Sequence, residues 1–419
     1  MKDDKLKSSL IKILETSLKD FPGAPIAFKF WDGSIFNPGS GTPLLVVHLK
    51  DPEKFIHLLV PPDELKLAEA YFMDIYDLEG DLGVAVEIGD ALGRKKWDKK
   101  ELAKIAGSAF SLGLSSLVSK TGNSIRKKKH SIESDRQAVG FAYNTSNEFY
   151  RLWLDKQMIY SGGYFPSRSA TVDEAQEHKL DTICKMLQLK EGDELLDIGC
   201  GWGALTIFAA GKYGARVTGV TLSFEQQQYA TAKITELGMQ DKCKVILSDY
   251  REVNEEQKFD KIASVEMLHH VGEEVLPEYF RKIRKLLKPG GISYQLAITS
   301  MPSRGKYKSP AFADKYFMPD YHIVPISTYL KHAEEQGFEI CDLENIREHY
   351  YLTAKQWLER LEKSHTDALN HVNEFTYRVN RLSLFLMMTA FQKGMMGFYQ
   401  FIMIDKKSDL TSLPLNRKR

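Results

Sequence analysis

From about residue 173 the chain switches repeatedly between two spacings of its apolar side chains. Glu174–Leu189 carries them at intervals of three and four, the stripe of an amphipathic helix, and Glu194–Ile198 follows as a short apolar strand. Further strands are predicted at Arg216–Thr221, Lys244–Leu247, Asp260–Val265 and Gly291–Ala297, with helices between them, one of them over Ala204–Tyr213. Alternation of this kind predicts an α/β fold built on a doubly wound, mostly parallel sheet. Two more strands, Glu339–Asn345 and Phe398–Asp405, are expected as the last edge strands of that sheet.

The first third reads differently. Residues 4–20 alternate apolar and charged positions at helical spacing until Pro22-Gly23, and two strand-like runs, Ile26–Trp31 and Leu44–Leu49, flank the turn-rich Asp32–Thr42. Leu65–Met73 reads as a helix that the acidic run Asp77–Asp81 closes. These elements predict a small α+β domain over 1–118. A polar stretch over 119–136, containing Arg126-Lys127-Lys128-Lys129-His130, is expected as a linker; a second domain spans 137–410, and 411–419 is a polar tail. The basic run reads either as a solvated linker or as a contact with an anionic bilayer, where each Lys or Arg contributes about 1 kcal/mol.

Composition narrows the class. A hydrophobic fraction of 43% with 27% charged residues describes an ordinary soluble protein, and 419 residues suit two domains. The net charge of +1 gives no global reason to expect nucleic acid. Cys184, Cys200, Cys243 and Cys341 are scattered, without metal-ligand spacing or a disulfide framework, so no metal and a reducing cytoplasm are expected. The N-terminus has no secretory h-region, and Leu382–Phe391 is too short to span a bilayer. The expectation is a cytoplasmic enzyme able to visit a membrane surface.

The candidate chemistry sits at strand ends. Leu195–Gly203, L-L-D-I-G-C-G-W-G, is a strand running into a glycine-rich turn that opens a helix, a geometry suited to a dinucleotide, a triphosphate or S-adenosylmethionine (SAM). The phosphate-loop Lys-Ser/Thr is absent, and D-x-G-x-G-x-G is tighter than the dinucleotide fingerprint; it resembles motif I of SAM-dependent methyltransferases. The next strands end in Thr221-Leu222-Ser223 with Glu225 and Gln226, in Asp249-Tyr250-Arg251, and in Glu266-Met267-Leu268-His269-His270. Carboxylates, amides, close backbone and apolar surface are what a ribose, an adenine amine and a sulfonium require. One departure stands out: the second strand of such sheets usually ends in an acid, and here it ends in Thr221.

That departure, with its neighbours, points to a family. The segments Y-N-T-S-N-E-F-Y-R-L-W-L-D (143–155), M-I-Y-S-G-G-Y-F (158–165), E-A-Q-E-H-K-L (174–180), V-T-G-V-T-L-S-F-E-Q-Q (217–227), S-D-Y-R (248–251) and D-K-Y-F-M-P (314–319) resemble cyclopropane fatty acid synthases and mycolic acid methyltransferases over about residues 138–405. W-D-G-S, A-E-A-Y and L-E-G-D-L resemble the lipid-binding N-terminal domain of many of these enzymes. The resemblance implies a class I SAM-methyltransferase with a Rossmann-like sheet. It implies transfer of a methyl group to the double bond of an unsaturated phospholipid acyl chain, at the inner face of the membrane and as a homodimer. The SAM site would comprise Tyr160, Ser161, Asp197, Gly199, Cys200, Gly201, Gly203, Thr221, Leu222, Gln226, Tyr250 and Arg251.

An alkene is a weak nucleophile, so catalysis means alignment with the sulfonium methyl in a dry, apolar site whose π faces tolerate a carbocation. Tyr307, Phe312, Tyr316, Phe317, Tyr321, Tyr350 and Tyr351 are candidates for that lining. A base must then remove a proton. The resemblance implies a bicarbonate held by Cys, Glu, His, Tyr and a backbone group, but here Gly162 stands for the Cys, His269 for the Glu, and Leu296-Ala297-Ile298 for His-Thr-Ile. His270 and Tyr350 keep the pattern. Three departures together weigh against bicarbonate-dependent ring closure. The catalytic candidates are therefore Tyr350, His269, Glu266, Tyr316 and Ile298, with Glu266 compensating if the local turn brings it inward. Two products follow: a cyclopropane, or a methyl-branched or methylene chain formed after a hydride shift. A degenerate lipid-binding protein and a small-molecule methyltransferase are the alternatives, and the intact SAM motifs argue against the first.

Overall fold

The computed structural model describes residues 2–19, 26–39, 41–58, 64–94, 98–101, 103, 146–304, 309–318, 322–405 and 413–415. The predicted linker, with its basic run, and Tyr307 and Tyr321 lie outside them. The chain forms two compact units, and they do not follow the contiguous division at 119–136. One unit joins residues up to 126 with Ser309–Phe317 and Asn373–Leu382; the other holds the remainder.

In the first unit the helix Lys2–Leu18 buries Leu6, Leu10, Ile13 and Leu14, one face at helical spacing. Strands β1 (Ile26–Lys29), β2 (Ile35–Phe36), β3 (Leu45–Leu49) and β4 (Tyr76–Gly80) form a sheet in the order β2-β1-β3-β4. β4 corrects the sequence reading, which took Asp77–Asp81 only as a helix terminator. It lies at the sheet edge, and its acids Asp77 and Glu79 mask its strand pattern.

The two distant segments join this unit through a buried cation and an aromatic cluster. Arg378 donates to the carbonyls of Tyr71 and Tyr76 and pairs with Glu374, Asp74 and Asp77. Phe72 packs edge-on against Phe312, Tyr316 and Phe375, with ring centroids 5.5, 5.9 and 5.5 Å away. Neither partner set is adjacent in sequence, so no composition shift marks them.

The second unit is built on a seven-stranded sheet: β5 (Glu194–Ile198), β6 (Arg216–Thr221), β7 (Cys243–Leu247), β8 (Phe259–Val265), β9 (Leu287–Ser300), β10 (Phe338–Asn345) and β11 (Met396–Asp405), in the order β10-β11-β9-β8-β5-β6-β7. β5 to β9 run parallel, and β11 lies antiparallel between β9 and β10. This is the predicted Rossmann-like class. Of the two strands expected at the edge, only β10 is there. β11 is apolar on both faces (Phe398, Phe401, Met403), which suits an interior strand, whereas β10 carries the charges. The chain steps outward from β5 to β6 and β7, then returns to β8 beside β5. That reversal opens a crevice at the carboxyl ends of β5, β6 and β8.

Candidate active site

A cavity fills that crevice, walled by the segment 158–161, the glycine turn after β5, the ends of β6 and β8, Ser248–Arg251, Glu266, Met267, His270–Gly272 and Val275. Gly199, Gly201 and Gly203 have φ of 74°, 54° and 84°, the left-handed region that the tight turn requires. A Cβ at Gly203 would lie 2.9 Å from the Ala230 Cβ, so this glycine lets two helices close up. At Gly201 a Cβ would meet nothing within 4 Å; the open space there is where a ligand can approach the backbone. The N–H groups of Gly199 and Cys200 both donate to the Val220 carbonyl, fixing the turn against β6. Asp197 accepts from the Thr206 hydroxyl at 2.9 Å, and burial pushes its pKa up to about 7.

At the next strand end the Thr221 hydroxyl donates to the Gln226 side-chain carbonyl at 2.7 Å, while Ser223 caps the following helix. The missing acid is thus replaced by a preorganised hydroxyl–amide pair. Asp249 holds Arg251 through Nε and Nη2, each at 2.7 Å, and Tyr250 packs edge-on against Tyr279.

The far wall is a clasp of three distant segments. Glu266 is one of four non-glycine residues with positive φ among the described residues, at 54°, and its N–H donates to the Leu296 carbonyl. Such a conformation costs about 1 kcal/mol or more and persists where the surroundings impose it. It carries the carboxylate to the Gly162 N–H, which donates to Oε1 at 2.5 Å, and to the Tyr350 hydroxyl, which donates to Oε2 at 3.1 Å. Burial pushes the Glu266 carboxyl above the usual carboxylate range, opposed by the Lys179 charge and these two bonds. One residue back, Ser161 accepts from the Lys179 ammonium at 2.5 Å, and its carbonyl accepts from Gln176.

All the cofactor candidates except Gly203 line the cavity, and Gly203 caps the helix behind it. Among the catalytic candidates, Glu266 is on the wall and Tyr350 is bonded to it. The other three are not among the lining residues. His269 is buried beside the wall, where His270 stands instead, and burial, then the neighbouring His270, holds its imidazole well below the ordinary range. Ile298 lies within β9, paired with Phe398 of β11. Tyr316, like Phe312, belongs to the aromatic cluster of the first unit. Lys179 and Gln176 are the polar groups that the sequence reading passed over. Both sit on the buried stripe of the helix Val172–Met186, among Val172, Ala175, Leu180 and Ile183, and a polar pair on an apolar stripe was the available signal.

The residues do not fit a bicarbonate. The Gly162 N–H and the Tyr350 hydroxyl already serve the Glu266 carboxylate, and a second anion beside it would be repelled. A side chain at 162 has no room either: its Cβ would lie 2.7 Å from Phe398 and 2.8 Å from Tyr350. Gly162→Cys, the family's residue, is therefore expected to lower stability by about 1–3 kcal/mol through overpacking. Urea unfolding measures it, and an unaltered midpoint would contradict this packing.

Comparison with known proteins places the chain. The model of the mycolic acid cyclopropane synthetase family matches residues 130–401. A probable fatty acid methyltransferase of Pseudomonas putida is 33% identical over 389 residues, 92% of this chain and 93% of that one. A second, of Mycobacterium tuberculosis, is 30% identical over 93% of this chain and 94% of its own. Among solved structures, the mycolic acid cyclopropane synthase CmaA1 complexed with SAH and CTAB is 27% identical, with a TM-score of 0.61 over 64% of this chain and 98% of that one.

Proposed function

This chain belongs to the mycolic acid cyclopropane synthetase family of SAM-dependent methyltransferases, and from that premise we propose that it methylates a double-bond carbon of an unsaturated phospholipid acyl chain, with Glu266 taking the departing proton. The observation that carries the reading is the Glu266 carboxylate on the wall of the SAM cavity, held by Gly162 and Tyr350 where the family's bicarbonate would need its ligands. SAM supplies an electrophilic methyl group when bound. The chain's own residues do the rest. The open backbone at Gly201 admits the ligand, and the hydroxyl–amide pair at Thr221 and Gln226 is set for hydrogen bonding. Tyr160, packed among Tyr150, Trp153 and Trp357, offers an aromatic face to positive charge.

As the carbon–carbon bond forms and the sulfur–carbon bond breaks, the positive charge passes to the acyl chain. A hydride shift moves the charge to the carbon bearing the new methyl, a carbon–hydrogen bond then yields its electrons to a new double bond, and Glu266 accepts the proton. The product is a methylene chain, one CH2 heavier than the substrate. Because Glu266 must be ionised and burial raises its pKa, turnover is expected to fall as pH drops while still well above the usual carboxylate range.

Ring closure is the second reading, supported by the likeness to a solved cyclopropane synthase. It needs the same base, reached by a proton of the transferred methyl without the hydride shift. Vesicles of a monounsaturated phospholipid incubated with SAM, followed by NMR of the released fatty acids, separate the two. Olefinic methylene signals support the first reading, and ring protons replace it with the second. Product only from soluble acceptors contradicts both. The run Arg126–His130 supports a visit to an anionic membrane surface from the cytoplasm, and omitting anionic lipid from the vesicles is expected to slow the reaction.

A further inference from the structure

Lys179 is a buried cation with no role in the chemistry described so far. It stands on the helix Val172–Met186, 2% exposed, and lines the same cavity as Glu266. Burying an ammonium is costly unless anions or strong acceptors surround it. Its one hydrogen bond among those described is to the Ser161 hydroxyl, and the charges facing it are Glu266 and Asp155. Asp155 is already occupied, accepting from the N–H groups of Gln157 and Ile159.

The backbone joins the cation to the base in one step. Lys179 grips Ser161, and the N–H of the next residue, Gly162, grips Glu266. Gln176, one turn earlier on the same helix, holds the carbonyl of Ser161. Lys179 therefore fixes the position of the Gly162 N–H and supplies positive charge to the same wall. Around Glu266 the other facing group is the Tyr350 hydroxyl from the helix Arg347–Lys363; along its own segment His270 lines the same cavity and His269 is buried beside it. Asp197 also lines the cavity, from β5, and Arg251 is paired with Asp249.

We propose that Lys179 is the positioning residue for the catalytic base: through Ser161 and Gly162 it aims the Glu266 carboxylate, and its ammonium keeps that carboxylate ionised in a dry cavity. The inference rests on Glu266 being the base. It assigns Lys179 no contact with the acyl chain. Burial favours the neutral forms of both groups, and each is opposed by the other's charge.

The test is the pH dependence of kcat on monounsaturated phospholipid vesicles, with saturating SAM, for the full chain. Lys179→Met, nearly isosteric, is expected to move the acid limb up by about one to three pH units, the effect of deleting a nearby opposite charge, with turnover recovering at alkaline pH. Lys179→Arg is expected to keep the limb near its original place. If Lys179→Met does not fold, Lys179→Gln, neutral but able to donate to Ser161, carries the same expectation. A uniform loss with an unmoved limb overturns the proposal, since a packing role predicts that. A loss confined to SAM affinity also overturns it, making Lys179 an anchor for the methyl donor. Glu266→Gln separates this from the parent reading. If that variant keeps its rate and its acid limb, Glu266 is not the base. If it loses turnover while Lys179→Met leaves the limb in place, only the role of Lys179 falls.

Discussion

Glu266→Gln is expected to lower kcat by roughly a thousandfold, within the range that a positioned general base contributes, while SAM affinity changes little. Glutamine keeps the volume, and its one carbonyl oxygen can still accept from the Gly162 N–H while its NH2 donates to the Tyr350 hydroxyl oxygen, so the clasp around 162, 266 and 350 should survive. It has no lone pair basic enough to take a proton from a carbon acid. The two effects therefore separate, and calorimetric SAM binding beside single-turnover rates on vesicles measures both. A variant that turns over normally would remove Glu266 from the chemistry. A variant that fails to bind SAM would make it part of the cofactor wall instead.

Gly201→Asp is expected to abolish detectable SAM binding, with a loss of roughly a hundredfold or more, equivalent to about 3 kcal/mol. Two causes act together. The φ of 54° strains any residue with a Cβ, and the side chain projects into the open space beside the turn, where no protein atom lies within 4 Å. The fold should tolerate the change because nothing in the protein is displaced. Near-native circular dichroism with lost SAM binding is the expected pair of results, and unchanged affinity would refute the placement of the ligand at this turn.

The cavity lining at the strand ends was legible in sequence because its residues are contiguous there: Asp197 to Gly203, Thr221 to Gln226, Asp249 to Arg251. The base was not. Glu266 reaches partners 104 and 84 residues away, and it does so through a left-handed backbone that no spacing rule announces for a glutamate. His269 was a candidate because it occupies the family's position for an acid, yet the short 3-10 turn Leu268–His270 buries it and puts His270 on the wall. Tyr316 does not line the cavity: an aromatic residue is equally at home in a core, and Phe72 and Phe375 supply one. β4 was hidden by its acids; the return of Asn373–Leu382 to the N-terminal unit depends on Arg378 finding carbonyls some 300 residues away, and that of Ser309–Phe317 on Phe312 and Tyr316 finding Phe72.

We propose that a carboxylate of the chain itself, in place of bicarbonate, takes the proton when SAM methylates a lipid alkene. The most direct test is the mass of the acyl chains after vesicles of a monounsaturated phospholipid are incubated with SAM in bicarbonate-depleted buffer, compared with the same reaction after bicarbonate is restored. The account predicts a gain of one CH2 at the same rate in both. Acyl chains that gain mass only when bicarbonate is restored, or not at all, would contradict it.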